Sequence, residues 1–97
     1  MSKFGELLDV DVPVLFSFYT EWNEPSSGMH PVLRDVAAAI GDRGKIIKID
    51  IDKNPQLAEA LRIKTLPTLI IYKDGEMKWR QSGEFDANTL IAKMGEI

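Results

Sequence analysis

The chain has 97 residues, 44% of them apolar and 28% charged, which suits one domain with one modest core. Fifteen acidic against twelve basic residues give a net charge of −3, with no Lys/Arg block to offset it, and this argues against a nucleic-acid binder. No cysteine is present, so disulfides, thiolate metal sites and all thiol redox chemistry are excluded for this polypeptide; a single histidine leaves a histidine-based zinc site short of ligands.

In chain order, Ser2 is placed to cap a short helix over residues 2–8. That stretch is too short and too acidic for a signal peptide, no apolar run is long enough to span a bilayer, and the expected address is cytoplasmic. Pro13 favours extended backbone before it. Val14, Leu15, Phe16, Phe18 and Tyr19 form a nearly continuous apolar run, as in a central parallel strand covered on both faces. Asn23 is then a good helix N-cap, with Glu24 and Pro25 suited to the first turn. Met29, Val32, Leu33, Val36 and Ile40 mark one helical face, with a kink expected at Pro31 and a left-handed C-cap at Gly41.

A second strand is expected over residues 45–50. Asn54-Pro55 then reads as a cap followed by proline at the first position of a short helix. A third strand covers residues 67–73, Asp74-Gly75 is a tight hairpin signal, and residues 76–82 form the returning strand. Asp86 caps a last helix whose buried face is Ala87, Leu90, Ile91 and Met94, with Phe85 placed to staple onto Leu90. The order predicts one α/β domain over residues 1–97, a mixed four-stranded sheet with helices on both faces.

From Val14 onward this pattern resembles the thioredoxin family. The resemblance rests on Phe18-Tyr19-Thr20-Glu21-Trp22, Pro25, Pro31, Asp50 and Asp52 with Asn54-Pro55, Thr65-Leu66-Pro67-Thr68, Lys73-Asp74-Gly75 and Gly83. It implies the thioredoxin fold, with the N-terminal strand shortened or absent because few residues precede Val14. The strand at residues 45–50 would then lie at an edge, either protected by Lys45 and Lys48 or paired with a partner or a second copy, so the expectation is a monomer or a weak dimer through it.

The departures bear on function. The family's active turn is Trp-Cys-Gly-Pro-Cys, whereas this chain reads Trp22-Asn23-Glu24-Pro25-Ser26, so Asn23 and Ser26 stand at the two cysteine positions. The family's buried acid falls at Ser17, and its companion lysine at Lys48. Dithiol exchange needs a thiolate and a resolving thiol, and neither Asn nor an unassisted Ser supplies them. No catalytic residue, cofactor or metal is therefore assigned; the family activity would be protein-disulfide reductase.

The expected binding groove comprises Trp22, Asn23, Glu24, Pro25, Ser26, Leu66 and Pro67. The resemblance implies a cis bond before Pro67, with neighbouring backbone open to an extended peptide. Trp22 is either a contact residue at the groove rim or a packing residue, and Asn23 is read chiefly as the cap. Ser26 and His30 lie four apart, which would permit a hydrogen bond, but no acid is evident to orient His30. Asp50 and Asp52 share a strand face, too few oxygens for a metal. Lys48 is either buried beside Ser17 or extended to water. Three functions follow as expectations. The first is a module without dithiol activity that binds a polypeptide or protein partner. The second is a cysteine-replaced form of a thioredoxin. The third is a binder of a small ligand of the glutathione type at the helix N-terminus.

Overall fold

The computed structural model describes residues 10–97; the helix expected over residues 2–8 lies outside them. Its elements are β1 (Val14–Tyr19), α1 (Glu24–Ser27), α2 (His30–Ile40), a 3-10 turn (Gly41–Arg43), β2 (Lys45–Asp50), α3 (Pro55–Ala60), β3 (Thr68–Lys73), β4 (Glu76–Ser82) and α4 (Ala87–Glu96). The sheet order is β2-β1-β3-β4. β1 runs parallel to β2 and antiparallel to β3, and β3 runs antiparallel to β4.

β1 is apolar at every position but Ser17 and the Tyr19 hydroxyl because both of its faces are covered. Val14, Phe16 and Phe18 join Ile49, Ile70 and Tyr72 in one cluster, flanked by Leu57 and Leu61 at α3. Leu15 points the other way, into a cluster with Leu33, Val36 and Ile40 of α2, Leu69 and Ile71 of β3, and Leu90 and Met94 of α4. Helices thus cover both sheet faces, and strand alternation sends successive side chains into two separate cores.

Local chemistry ends and starts the elements. The hairpin turn has positive φ at both Asp74 (55°) and Gly75 (78°), the backbone that a two-residue Asp-Gly loop favours. Beyond it, β3 and β4 shift register between Ile71 and Tyr72, a bulge that keeps Trp79 opposite Ile71. Phe85 meets Trp79 edge-on at 5.5 Å and packs against the cluster holding Leu90.

Three expectations change. The helix does not bend at Pro31 but splits before it. α1 ends at Ser27, Gly28 and Met29 form a turn, and Pro31 is the second residue of α2. Proline has no N–H for the Ser27 carbonyl four residues back, and it is tolerated only in a first turn. Asn54 does not cap α3 with its side chain; its amide donates to the Asp50 carbonyl at 2.9 Å. Gly41 takes positive φ (60°), but its ψ of −131° lies outside the left-handed helical region. β2 has β1 as its sole strand partner among the described residues, and both its lysines are exposed.

Gly44 packs where a Cβ would lie 2.8 Å from Met94 Cε and 2.9 Å from Ile40 Cγ2. Gly44→Ala is therefore expected to lower the unfolding free energy by about 1–3 kcal/mol; an unchanged urea midpoint would contradict this packing. At α4, hydrogen bonds from Thr89, including its backbone N–H at 2.8 Å, hold the Asp86 carboxyl below the ordinary carboxylate range. A depressed pKa adds stability above the unfolded value and loses it as pH falls through the folded value. The decline of Tm below about pH 4 should therefore be shallower in Asp86→Asn than in the parent chain, and parallel acid limbs would refute the assignment.

Candidate functional site

β1 leaves the sheet at Tyr19, and the chain reverses over Thr20–Asn23, where the Asn23 N–H donates to the Thr20 carbonyl at 3.2 Å. Asn23 takes extended backbone and its Oδ1 accepts from the Ser26 N–H at 2.8 Å, the N-cap its residue type predicts. Ser26 has no exposed surface. Its Oγ accepts from the Thr20 N–H at 3.2 Å and lies 2.9 Å from the Asn23 carbonyl and 3.3 Å from the Thr20 carbonyl. One hydroxyl proton serves whichever of those carbonyls is nearer, so the group is fully engaged in holding the turn and has no base beside it.

The turn is tied down from outside as well. The Thr20 hydroxyl bonds to the Asp52 carboxylate, whose own N–H donates to Asp50 Oδ1 at 2.9 Å. Asp50 and Asp52 thus brace the ends of β1 and β2. Among the described residues no group of three or more His, Cys, Asp or Glu is placed to hold a metal. Burial, followed by the Asp50 and Glu21 carboxylates, pushes the Tyr19 hydroxyl pKa up.

The Ser26–His30 hydrogen bond that the spacing would permit does not form, because the two residues sit on different helices. The His30 ring instead meets Tyr19 edge-on at 4.6 Å, and its Nδ1 is buried without a partner. Ser17 Oγ is likewise buried and unpartnered. Lys48, its neighbour in the β1–β2 register, is exposed, so the buried-lysine reading gives way to the snorkelled one.

The seven expected groove residues fall into two groups. Trp22 (90% exposed), Glu24 and Pro25 face solvent, and Asn23 and Leu66 are half-buried. Ser26 and Pro67 are buried and act from beneath. The packing reading of Trp22 is thereby set aside. Phe18 pairs with Thr68 across β1 and β3, so Tyr19 and Thr20 leave the sheet beside the chain entering at Pro67. The Leu66–Pro67 bond is cis.

The backbone around Pro67 is largely satisfied. Its carbonyl accepts from the Gly83 N–H at 2.9 Å, and the Thr65 carbonyl accepts from the Thr68 hydroxyl. The N–H and carbonyl of Leu66, between them, make no hydrogen bond among the described residues. Unpaired extended backbone can accept one strand of a peptide. The helix N-terminus is a poor anion cradle by contrast: α1 has four residues, Glu24 lies in its first turn, and Asn23 already takes the Ser26 N–H.

One positioning residue is absent from the sequence reading. Arg80 of β4 donates from Nη1 to the Leu61 carbonyl and from Nη2 to the Arg62 carbonyl, at 2.5 and 2.9 Å. It fastens the loop, with Arg62 at φ 55°, that leads to Leu66. No local signal announces it, because the partners are eighteen and nineteen residues away.

The thioredoxin family model matches residues 2–96. Among relatives, the chain is 39% identical over 94 residues to chloroplastic thioredoxin Y of Oryza sativa subsp. japonica, covering 96% of this chain and 56% of that one. It is 33% identical over 86 residues to thioredoxin of Rickettsia bellii, covering 89% and 82%. The chain spans little more than half the length of the rice and Arabidopsis relatives it matches. Its fold superposes on the crystal structure of chloroplastic thioredoxin z with a TM-score of 0.85 at 27% identity, covering 99% of this chain and 89% of that one. Thioredoxin-2 of the malaria parasite gives the same TM-score and identity over 89% and 84%. The chain belongs to the thioredoxin family, and it does so without either cysteine of that family's active turn.

Proposed function

We propose that this domain binds an extended polypeptide between the Trp22 turn and Leu66 and performs no dithiol exchange. The observation that carries the reading is Trp22, 90% exposed on a turn that Asn23 and Ser26 hold closed. A tryptophan buries about 150–250 Å² when covered. At about 25 cal/mol per Å² that is a ceiling of roughly 4–6 kcal/mol, part of which association entropy takes back. Leu66 supplies an unpaired N–H and carbonyl for main-chain pairing, and Arg80 and Gly83 hold its flanks. The names of two structural neighbours fit a protein partner: one structure is described as defining type-specific target recognition, and the other protein as a component of protein secretion machinery.

The cytoplasmic address belongs to the same proposal, with the chloroplast as the alternative raised by the rice and Arabidopsis relatives. No helix among the described residues is long and apolar enough to cross a membrane.

Titration with an unfolded, cysteine-free client polypeptide should give saturable binding. Trp22→Ala should weaken it at least tenfold, about 1.4 kcal/mol or more, with Tm unchanged because the side chain packs on nothing. Equal affinity in the variant would sink the proposal. In an insulin-reduction assay the chain should show no turnover above buffer, and clear turnover would end the reading.

The cysteine-replaced reading has one observation in its favour. Ser26 fills a fully buried position in the first turn of α1, the place where a resolving thiol would sit. Asn23→Cys with Ser26→Cys should form a disulfide yet reduce insulin slowly, since Ser17 offers no acid to move the proton. Turnover matching a working thioredoxin would favour this second reading over the first.

A further inference from the structure

A second concavity lies away from the Trp22 turn, between α2 and the edge strand β2. Helical spacing puts His30, Leu33, Arg34 and Ala37 along one stripe of α2, and strand alternation puts Ile46 and Lys48 on the β2 face that meets it. These six residues line a groove of about 230 Å³. Leu33 is buried and Ile46 half-buried, so the groove has an apolar floor, with cationic groups on both walls.

The charges there are uncompensated. Neither Arg34 nor Lys48 makes an ion pair or a hydrogen bond among the described residues, and no carboxylate lines the groove. The two cations share one concavity in a chain whose net charge is −3, so they stand apart from the overall field of the protein. His30, which also lines the groove, carries the buried Nδ1 without a partner.

We propose that this groove binds a small organic oxyanion. Its head, a phosphate monoester or a carboxylate, is held by the Arg34 guanidinium and the Lys48 ammonium, and a compact apolar body lies on Leu33, Ala37 and Ile46. Guanidinium and ammonium together favour an oxygen-rich anion through charge-assisted hydrogen bonds. The volume falls below the roughly 300–1,000 Å³ of drug-sized sites, which limits the occupant to one ring or a short chain. The proposal does not depend on peptide binding at Trp22, since the two sites share no residue.

The test is a 1H–15N NMR titration of the full chain with phenyl phosphate at fixed ionic strength, with benzoate and inorganic phosphate run in parallel. The expected result is saturable shifts confined to amides of His30, Leu33, Arg34, Ala37, Ile46 and Lys48. Arg34→Gln and Lys48→Gln should each weaken binding at least fivefold, and both should keep the parent Tm because both side chains are exposed. Tighter binding of phenyl phosphate identifies a phosphate head, and tighter binding of benzoate a carboxylate; either supports the site. Shifts that fail to saturate, the same shifts from inorganic phosphate alone, or parent affinity in both variants would overturn it.

Discussion

The hydroxyl of Ser26 is the fixed point of the site. It is sealed from solvent and bonded to backbone groups of Thr20 and Asn23, while Asn23 caps the Ser26 N–H in return. Each such bond contributes a net of about 0.5–1.5 kcal/mol, and together they close residues 20–26 on themselves. With the polar groups turned inward, the one large apolar side chain of the segment, Trp22, is left in water. Both serine hydroxyls of α1 are already bonded, Ser26 to the Asn23 carbonyl and Ser27 to the Glu24 carbonyl.

That turn has meaning only because of where β1 ends. The strand is buried on both faces, so its exit point is set by two cores at once. β3 returns antiparallel beside it, and the register brings the chain before Thr68 next to Thr20. Arg80 then fixes the approach to Leu66 from the far strand. The juxtaposition of this turn with the chain before Thr68 therefore follows from sheet topology plus two local anchors, the Ser26 knot on one side and the Arg80 clamp on the other. Ser17, buried beneath with an unpartnered hydroxyl, stands where the resemblance puts an acid. Its neutrality fits a domain with no proton to relay.

Most of the architecture was legible because it is encoded locally. The nearly continuous apolar run of β1, the Asp74-Gly75 hairpin and the Asp86 cap each state their structure within a few residues. The helix boundary near Pro31 was visible but misplaced: proline announces a break, and only the backbone at Gly28 and Met29 decides on which side it falls. Asn54 satisfied every local rule for a cap, yet its amide found the Asp50 carbonyl, a partner supplied by the end of β2. Within the turn and loop that the sequence singled out, it could not tell the exposed Trp22 from the buried Ser26 and Pro67, since burial depends on strands that meet only in the fold. Arg80 and Gly44 were silent for the same reason. Their partners lie far along the chain, and nothing in the neighbouring residues hints at a carbonyl clamp or a methionine methyl.

The central claim is that Leu66 offers its backbone to a polypeptide while the Trp22 turn stays closed. Amide hydrogen exchange, measured residue by residue with and without an unfolded client polypeptide, addresses it most directly. The account predicts a fast Leu66 amide in the free protein that slows at least tenfold on client addition, with Ser26 protected throughout. An unchanged Leu66 amide, with slowing confined instead to the β2 edge at Lys45–Asp50, would contradict it.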